Sequence, residues 1–258
     1  MIREITSLQH PLIKHLVLLR QNRDYREDNQ SVAIEGRKLV REICPHLHTK
    51  LIMTCDPTWV PENVKAEEIL LVNEAIMSKV SGLQAPEGII AEVAMPPAST
   101  FEKKKWIVAF DGISDPGNIG TLIRTSLALG WEGAFVLENS CDPFNDKALR
   151  AAKGATFRLP LASGSWSDLK QMIEKKHLLA IAADMHGSDI STFGLTANNQ
   201  GILLVLSNEA HGVSPEAVAI CKRVCIPMPG EMESLNVAVA GGILMYVLKQ
   251  GKLCLSVG

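Results

Sequence analysis

The sequence contains no apolar run long enough to cross a bilayer, which excludes a spanning helix and leaves no reason to expect a membrane partner. Its opening stretch, MIREITSLQHP, lacks the apolar core of a signal peptide, so a cytoplasmic location is expected. Paired metal-ligand cysteines are missing too. Cys44, Cys55, Cys141, Cys221, Cys225 and Cys254 are scattered, and Cys221-x3-Cys225 has no second ligand pair, so they read as reduced core thiols with no metal. No G-x-G-x-x-G opens the first strand–helix unit of either half, which argues against a nicotinamide-dependent dehydrogenase. Internal repeats and low-complexity tracts are absent. There is no large excess of basic charge either: 26 Lys and Arg face 28 Asp and Glu, for a net charge of −2, which argues against a wholesale basic nucleic-acid coat.

What is present is ordinary globular stock, 47% hydrophobic and 21% charged over 258 residues, enough for one or two domains. The first part predicts helix over Leu12–Asn22, a strand over Ser31–Gly36 and helix over Arg37–Cys44. Strands follow at Leu51–Cys55 and Glu68–Val72, then a helix over Glu74–Gly82 and a strand over Gly88–Met95. Residues 1–50 carry nine Lys and Arg against six acids, which suits a solvated helical surface and does not by itself establish nucleic-acid binding. The Pro96-Pro97-Ala98-Ser99-Thr100 stretch and the charges after it predict a division into 1–97, a linker at 98–105, and 106–258.

The second part predicts strands over Trp106–Asp111, Gly133–Glu138, Phe157–Ala162, Leu178–Ala183, Ile202–Ser207 and Val224–Met228. A last helix runs from Ser234 to Gln250. These strands are continuously apolar rather than alternating, as expected of a mostly parallel sheet covered on both faces.

Three segments carry chemistry. DPGNIGTLIRTSLALG (Asp115–Gly130) follows a strand and opens a helix, with Asn118 suited to the N-cap and Gly130 to the stop. Within it, Arg124 lies among Leu122, Ile123, Leu127 and Leu129 with no carboxylate at i±4, so its charge is expected to meet a partner elsewhere. VLSNEAHGVSPE (Val205–Glu216) ends the strongest strand in a polar loop, where ligands bind in open α/β sheets; the bland alternative is a turn with Asn208 as its cap. In CIPMPGEMESLNVAVA, Ser234-Leu235-Asn236 places a hydroxyl and a carboxamide at the first turn of a small-residue helix. They form either a cap or a polar pocket.

In their order and spacing these segments resemble the three motifs of the SpoU/TrmH family of RNA ribose 2′-O-methyltransferases, within the SPOUT class. The likeness spans residues 106–250, and the first part more weakly resembles the family's substrate-binding domain. The resemblance implies an α/β fold whose C-terminal domain holds a deep trefoil knot, an exception to the un-knotted rule. It implies a smaller N-terminal α/β module of ribosomal-protein type that grips RNA. It also implies S-adenosylmethionine as cofactor, held by Leu206, Ser207, Asn208, Gly212, Ile226, Met228, Leu235 and Asn236, with Ile226 and Met228 flanking the adenine. Where Ser207 stands, the family usually has Gly.

Catalytic roles are implied for Asn118, Arg124, Glu209, Ser234 and Asn236; His211 reads as a variable loop residue. In the family, the Asn and Arg of the first motif meet the ribose, the acidic residue arranges them, and Ser234 faces the reacting centre. A free guanidinium is a poor base. Arg124 therefore either orients the hydroxyl and stabilises its alkoxide, or acts as a base after a large downward pKa shift. The resemblance further implies a homodimer joined by the last helix and the Arg124 helix. Leu244, Met245 and Leu248, with Leu122, Ile123 and Leu127, exceed what one small domain must bury. The expected substrate is structured RNA, 23S ribosomal RNA ahead of transfer RNA. The rival is a non-catalytic RNA-binding ribosome-assembly factor, which would be expected to lack Asn118, Arg124 or Asn236.

Overall fold

The computed structural model describes residues 2–193, 200–208, 212–232 and 234–250. They form two compact units, one of Met1–Pro97 with Phe144–Phe157, the other of Ala98–Pro143 with Arg158–Gly258.

The first unit runs β1 (Ile2–Ile5), α1 (Pro11–Gln21), α2 (Arg23–Asn29), β2 (Ser31–Glu35), α3 (Arg37–Ile43), β3 (Thr49–Thr54), β4 (Ala66–Val72), α4 (Glu74–Ser81) and β5 (Ile89–Ala94). The strands lie in the order β1-β4-β3-β5-β2; β4 is parallel to β1 and β3, and β5 is antiparallel to β3 and β2. Pro11 starts α1, where a missing N–H costs nothing, and the His10 ring accepts from the Leu12 N–H at 3.2 Å. Ile13, Leu16 and Leu19 then form its buried stripe.

Neither β1 nor α2 stands out in the apolar pattern. β1 buries only Ile5, and α2 is the polar run RDYREDN, held by an Asn22 cap and a buried Arg26 whose Nη1 donates to the Leu19 carbonyl at 2.7 Å. Residues 144–157 join this unit although a plain division places them with the second. Phe144, Leu149 and Phe157 pack into its core beside Leu39 and Ile43.

The second unit runs β6 (Trp106–Asp111), α5 (Pro116–Ala128), β7 (Gly133–Leu137), α6 (Asp146–Ala152, in the segment that joins the first unit), β8 (Leu161–Gly164) and α7 (Trp166–Lys176). After these come β9 (Leu179–Asp189), β10 (Ile202–Ser207), α8 (Pro215–Ile220), β11 (Lys222–Cys225) and α9 (Val237–Gln250). Its six strands are all parallel, in the order β11-β9-β10-β6-β7-β8. Ile107–Phe110 and Leu203–Leu206 are fully buried, as a sheet covered on both faces requires.

Local chemistry moves several expected boundaries. The strand expected over Phe157–Ala162 is shifted to β8, because Pro160 cannot donate to a ladder and Ala155–Phe157 makes a 3₁₀ turn. Residues 98–105 are not a free linker. Phe101 is 2% exposed, its carbonyl accepts from Lys176 Nζ at 2.6 Å, and its ring lies where a Cβ on Gly133 would stand. The last helix starts at Val237, three residues later than expected, because Asn236 caps it. Of the cysteines expected in the core, Cys44 is buried, Cys55 and Cys221 pack half-buried against core clusters, and Cys254 lies outside the described residues.

Helix α9 packs against α5, β9 and β10. Its small residues serve that contact: a Cβ on Gly241 would stand 2.6 Å from both Leu122 Cδ2 and Leu206 Cδ1. Leu244, Met245 and Leu248, with Leu122 and Ile123, are used up here and are buried within the chain. The surplus apolar surface of α9 is a different set, Val239, Ile243 and Tyr246, respectively 52%, 38% and 54% exposed.

Candidate active site

β6 and β10 are neighbours in space, while the chain leaves β6 toward β7 on one side and β9 lies beyond β10 on the other. Their carboxyl ends, where Asp111 pairs in register with Ser207, are therefore a switch point of the kind that binds ligands. Buried Asp111 organises that end. One of its oxygens accepts from Asn139 Nδ2 at 3.0 Å and the other from Ser207 Oγ at 3.3 Å, so Ser207 puts its hydroxyl to structural use. Asn139 Oδ1 takes the Gly112 N–H at 3.0 Å, and Asn208 Nδ2 donates to the Gly112 carbonyl at 2.8 Å. Asn208 thus ties two strand ends together and is not the cap of the following helix; Ser214 caps α8. Burial, with the charge of Asp111 added, pushes the Cys221 thiol up to about 12.

Asn118 is likewise not the cap of α5. Asp115 is, its Oδ1 accepting the Asn118 N–H at 2.9 Å, which places Asn118 one turn in. The Asn118 side chain instead meets α9: Asn236 Nδ2 donates to Asn118 Oδ1 at 3.1 Å, while Asn236 Oδ1 accepts the N–H groups of Ala238 and Val239. Arg124 is exposed, with no carboxylate beside it among the described residues. Six residues after Asn118 on one helix, it points about 120° away and lies about 9 Å further along. Glu209 and His211 lie outside the described residues.

Beside this network opens a cavity of about 430 Å³. Leu206, Ser207, Asn208, Gly212, Ile226, Met228 and Leu235 line it, as does Ser234. Asn236, expected among the donor's contacts, is not one of the lining residues; next in the chain after Leu235, it is held to Asn118. The cavity also takes residues that pattern reading passed over, Ala183, Asp184, Met185 and His186 in the middle of β9 and Arg223 on β11. The available signal was the polar run Asp-Met-His-Gly-Ser-Asp directly after a buried strand. Among the described residues no group of three His, Cys, Asp or Glu side chains could hold a metal ion, and no helix is long and apolar enough to cross a membrane.

Residues 105–246 match the model of the SpoU rRNA methylase family, and residues 10–91 that of an MRM3-like substrate-binding domain. The chain belongs to the SpoU rRNA methylase family. A relative in Bacillus subtilis, the 23S rRNA (guanosine(2553)-2′-O)-methyltransferase RlmP, is 27% identical, with 96% of this chain and 100% of that protein covered. The 23S rRNA (uridine(2479)-2′-O)-methyltransferase of Streptomyces viridochromogenes is 30% identical, covering 73% of this chain and 70% of that protein. Among solved structures, the AdoMet-bound rRNA methyltransferase of Sinorhizobium meliloti superposes with a TM-score of 0.84 at 26% identity, over 96% of this chain and 97% of that one. This SpoU methylase therefore shares both of its units, and not only the catalytic motifs, with full-length relatives.

Proposed function

We propose that this protein methylates a ribose 2′-hydroxyl of 23S ribosomal RNA with S-adenosylmethionine as donor. The observation that carries the reading is the cavity lined by Ser234 and Leu235, the two residues that precede Asn236 and its bond to Asn118. Its chemistry suits the donor. Ile226, Met228, Leu235 and Leu206 offer an apolar slot for a purine, and polar side chains of both charge signs stand at another wall. The volume lies in the ordinary range for small-ligand sites.

Bound in this cavity, S-adenosylmethionine would supply an electrophilic methyl group for the ribose oxygen, the C–S bond breaking to leave S-adenosylhomocysteine and the hydroxyl proton passing to water. The protein's part is alignment and charge. Asn236 fixes the Asn118 amide so that its Nδ2 is free to hold the ribose. Ser234 stands at the cavity edge where ribose and donor meet. Arg124 supplies a fixed positive charge and planar N–H donors to the developing alkoxide, a role that needs no deprotonated guanidinium. The RNA's 2′-hydroxyl, absent from DNA, makes the reaction RNA-specific. Residues 1–97 with 144–157 are the unit that grips the RNA, and the unit of residues 98–143 and 158–258 is the catalytic domain. Glu209 belongs to the same reading as the acid that arranges Asn118 and Arg124.

The protein works in the cytoplasm as a homodimer. Val239, Ile243 and Tyr246 form an exposed apolar stripe on α9, and Arg124 is exposed on the neighbouring α5, turned away from its own chain's Asn118. A two-fold contact along these helices carries Arg124 into the partner's site. The trefoil knot belongs to the same proposal: α9 returns to β10 and α5 after β11 has been laid at the sheet's far edge.

The test is to map ribose 2′-O-methylation in ribosomal and transfer RNA from cells with and without the gene, alongside reactions of purified protein with 23S RNA. Loss of one 23S site, restored in vitro, is the expected result. Loss at a transfer-RNA site would overturn the substrate. Unchanged maps with intact donor binding would favour the non-catalytic assembly factor.

A further inference from the structure

The cavity wall formed by β9 has an unusual construction. β9 pairs with β11 through Ile181 and Ala182, then leaves it, and pairing resumes only at Ser188 opposite Val224. Residues 183–187 make the excursion between. Gly187 lets the chain return, since a Cβ there would stand 2.5 Å from the Val224 nitrogen. Asp184 pins the excursion from within: its Oδ1 accepts the His186 N–H at 2.9 Å and its Oδ2 accepts Arg223 Nη1 at 3.0 Å. Asp184, His186 and Arg223 all line the cavity; the Asp184 side chain is 10% exposed and that of Arg223 43%.

We propose that Asp184 and Arg223 hold the amino-acid end of the bound donor, Arg223 on the α-carboxylate and Asp184 on the α-ammonium. This rests on the cavity being the S-adenosylmethionine site and names which part of that molecule reaches which wall. The adenine and ribose are neutral. Only the amino-acid end carries a positive and a negative group side by side, and among the described residues only here does the cavity present a carboxylate and a guanidinium side by side.

Capacity matches as well. Arg223 spends one of five guanidinium N–H donors on Asp184, and each Asp184 oxygen keeps a lone pair after its present bond. With Arg223 43% exposed, solvent screens the pair and its worth as a brace alone is small. Its place fits too. β9 and β11 lie on one side of β10, and β6 on the other. Asp184 and Arg223 thus stand on the β9–β11 side of the cavity, while Ser234 and Leu235 line it from the chain that leads into α9.

Two ligands that differ at this end separate the possibilities. S-Adenosylhomocysteine keeps the amino acid; 5′-methylthioadenosine lacks it. Both are titrated calorimetrically into the full-length protein, into Arg223→Gln, and into Asp184→Asn, which retains the Oδ1 that accepts from His186. Each variant should bind S-adenosylhomocysteine about tenfold or more weakly, the scale of a lost charged hydrogen bond, and 5′-methylthioadenosine unchanged.

Equal losses for both ligands would mean that the pair only shapes the adenosyl wall, and no loss for either that it only braces the turn; each overturns the proposal. Failure of the unsubstituted protein to bind either ligand would instead remove the donor site itself. Thermal melts establish that the variants fold. Should Arg223→Gln not fold, Arg223→Lys replaces it, with a smaller loss expected for S-adenosylhomocysteine alone.

Discussion

Asn236 and Asn118 are joined by a hydrogen bond of 3.1 Å whose direction is fixed by a helix cap. Asn236 Oδ1 is committed to the N–H groups of Ala238 and Val239, so Nδ2 must face Asn118. Asn118 therefore presents its oxygen to Asn236 and, in the proposed reaction, keeps its own amino group for the substrate. Two segments more than a hundred residues apart are locked through two amides, and one donor is left over.

This separates capping from catalysis. Asn236→Asp should cap α9 as well as Asn does and leave the melting temperature nearly unchanged. It cannot donate to Asn118, whose amide then turns its Nδ2 toward the new carboxylate and away from the ribose. Turnover should fall about ten- to a hundredfold, the equivalent of one or two polar contacts. Asn236→Ala should lose both activity and stability. A fully active aspartate variant would show that Asn236 is only a cap.

Arg124 is exposed and has no acid beside it among the described residues, so removing it costs the fold little. Arg124→Ala should leave donor binding within about threefold and the melting temperature within a few degrees, while abolishing methyl transfer. Arg124→Lys should rescue little, because an ammonium lacks the planar fork. Equal loss of donor affinity and turnover, measured by calorimetry and radiolabel transfer, would count against a role at the ribose.

A buried cluster in the first unit predicts an acid-side loss of stability. Burial alone would raise the Glu92 carboxyl. Hydrogen bonds from His15 and Ser31, and the charges of His15 and Lys50, outweigh it and hold the group below its ordinary 4.5. A depressed folded-state value means that stability is present above about pH 4.5 and is lost as pH falls through the lower folded value. Glu92→Gln should cost about 1–3 kcal/mol near neutrality and less as the medium is acidified. Chemical denaturation at about pH 7 and about pH 3 measures it; a difference that stays constant with pH would refute the assignment.

The sheet strands were legible wherever both faces are buried, because ILLVLS and WIVAFD admit little but a covered parallel strand. What escaped was held by polar or particular contacts. β1 buries a single residue, α2 depends on the Asn22 cap and the Arg26 side chain, and the Asp184 excursion is defined by one ion pair and one glycine. The motif residues could be named from their order along the chain. Their pairing could not: a sequence shows that Asn118 suits a cap, but only the fold shows that Asp115 has already taken that place. The identity of the exposed apolar face was hidden for a similar reason. All of Gly241–Leu248 is apolar or aromatic, and which side of it faces outward is set by where α5 and β10 lie.

That face yields the last prediction. Ile243 and Leu244 are sequence neighbours with opposite fates, 38% and 1% exposed. Leu244→Ala should cost about 2–5 kcal/mol of stability, as a cavity beneath α9 does. Ile243→Asp and Tyr246→Asp should cost the single chain little and split the dimer, and light scattering should report half the native mass. Activity should vanish with the dimer, since Arg124 then has no partner site to enter. Co-refolding inactive Arg124→Ala chains with inactive Asn236→Ala chains should restore one site per mixed dimer, the one that combines an intact Asn236 from the first with an intact Arg124 from the second. Full activity in a monomeric Ile243→Asp protein, or no recovery in verified mixed dimers, would place the whole site within one chain.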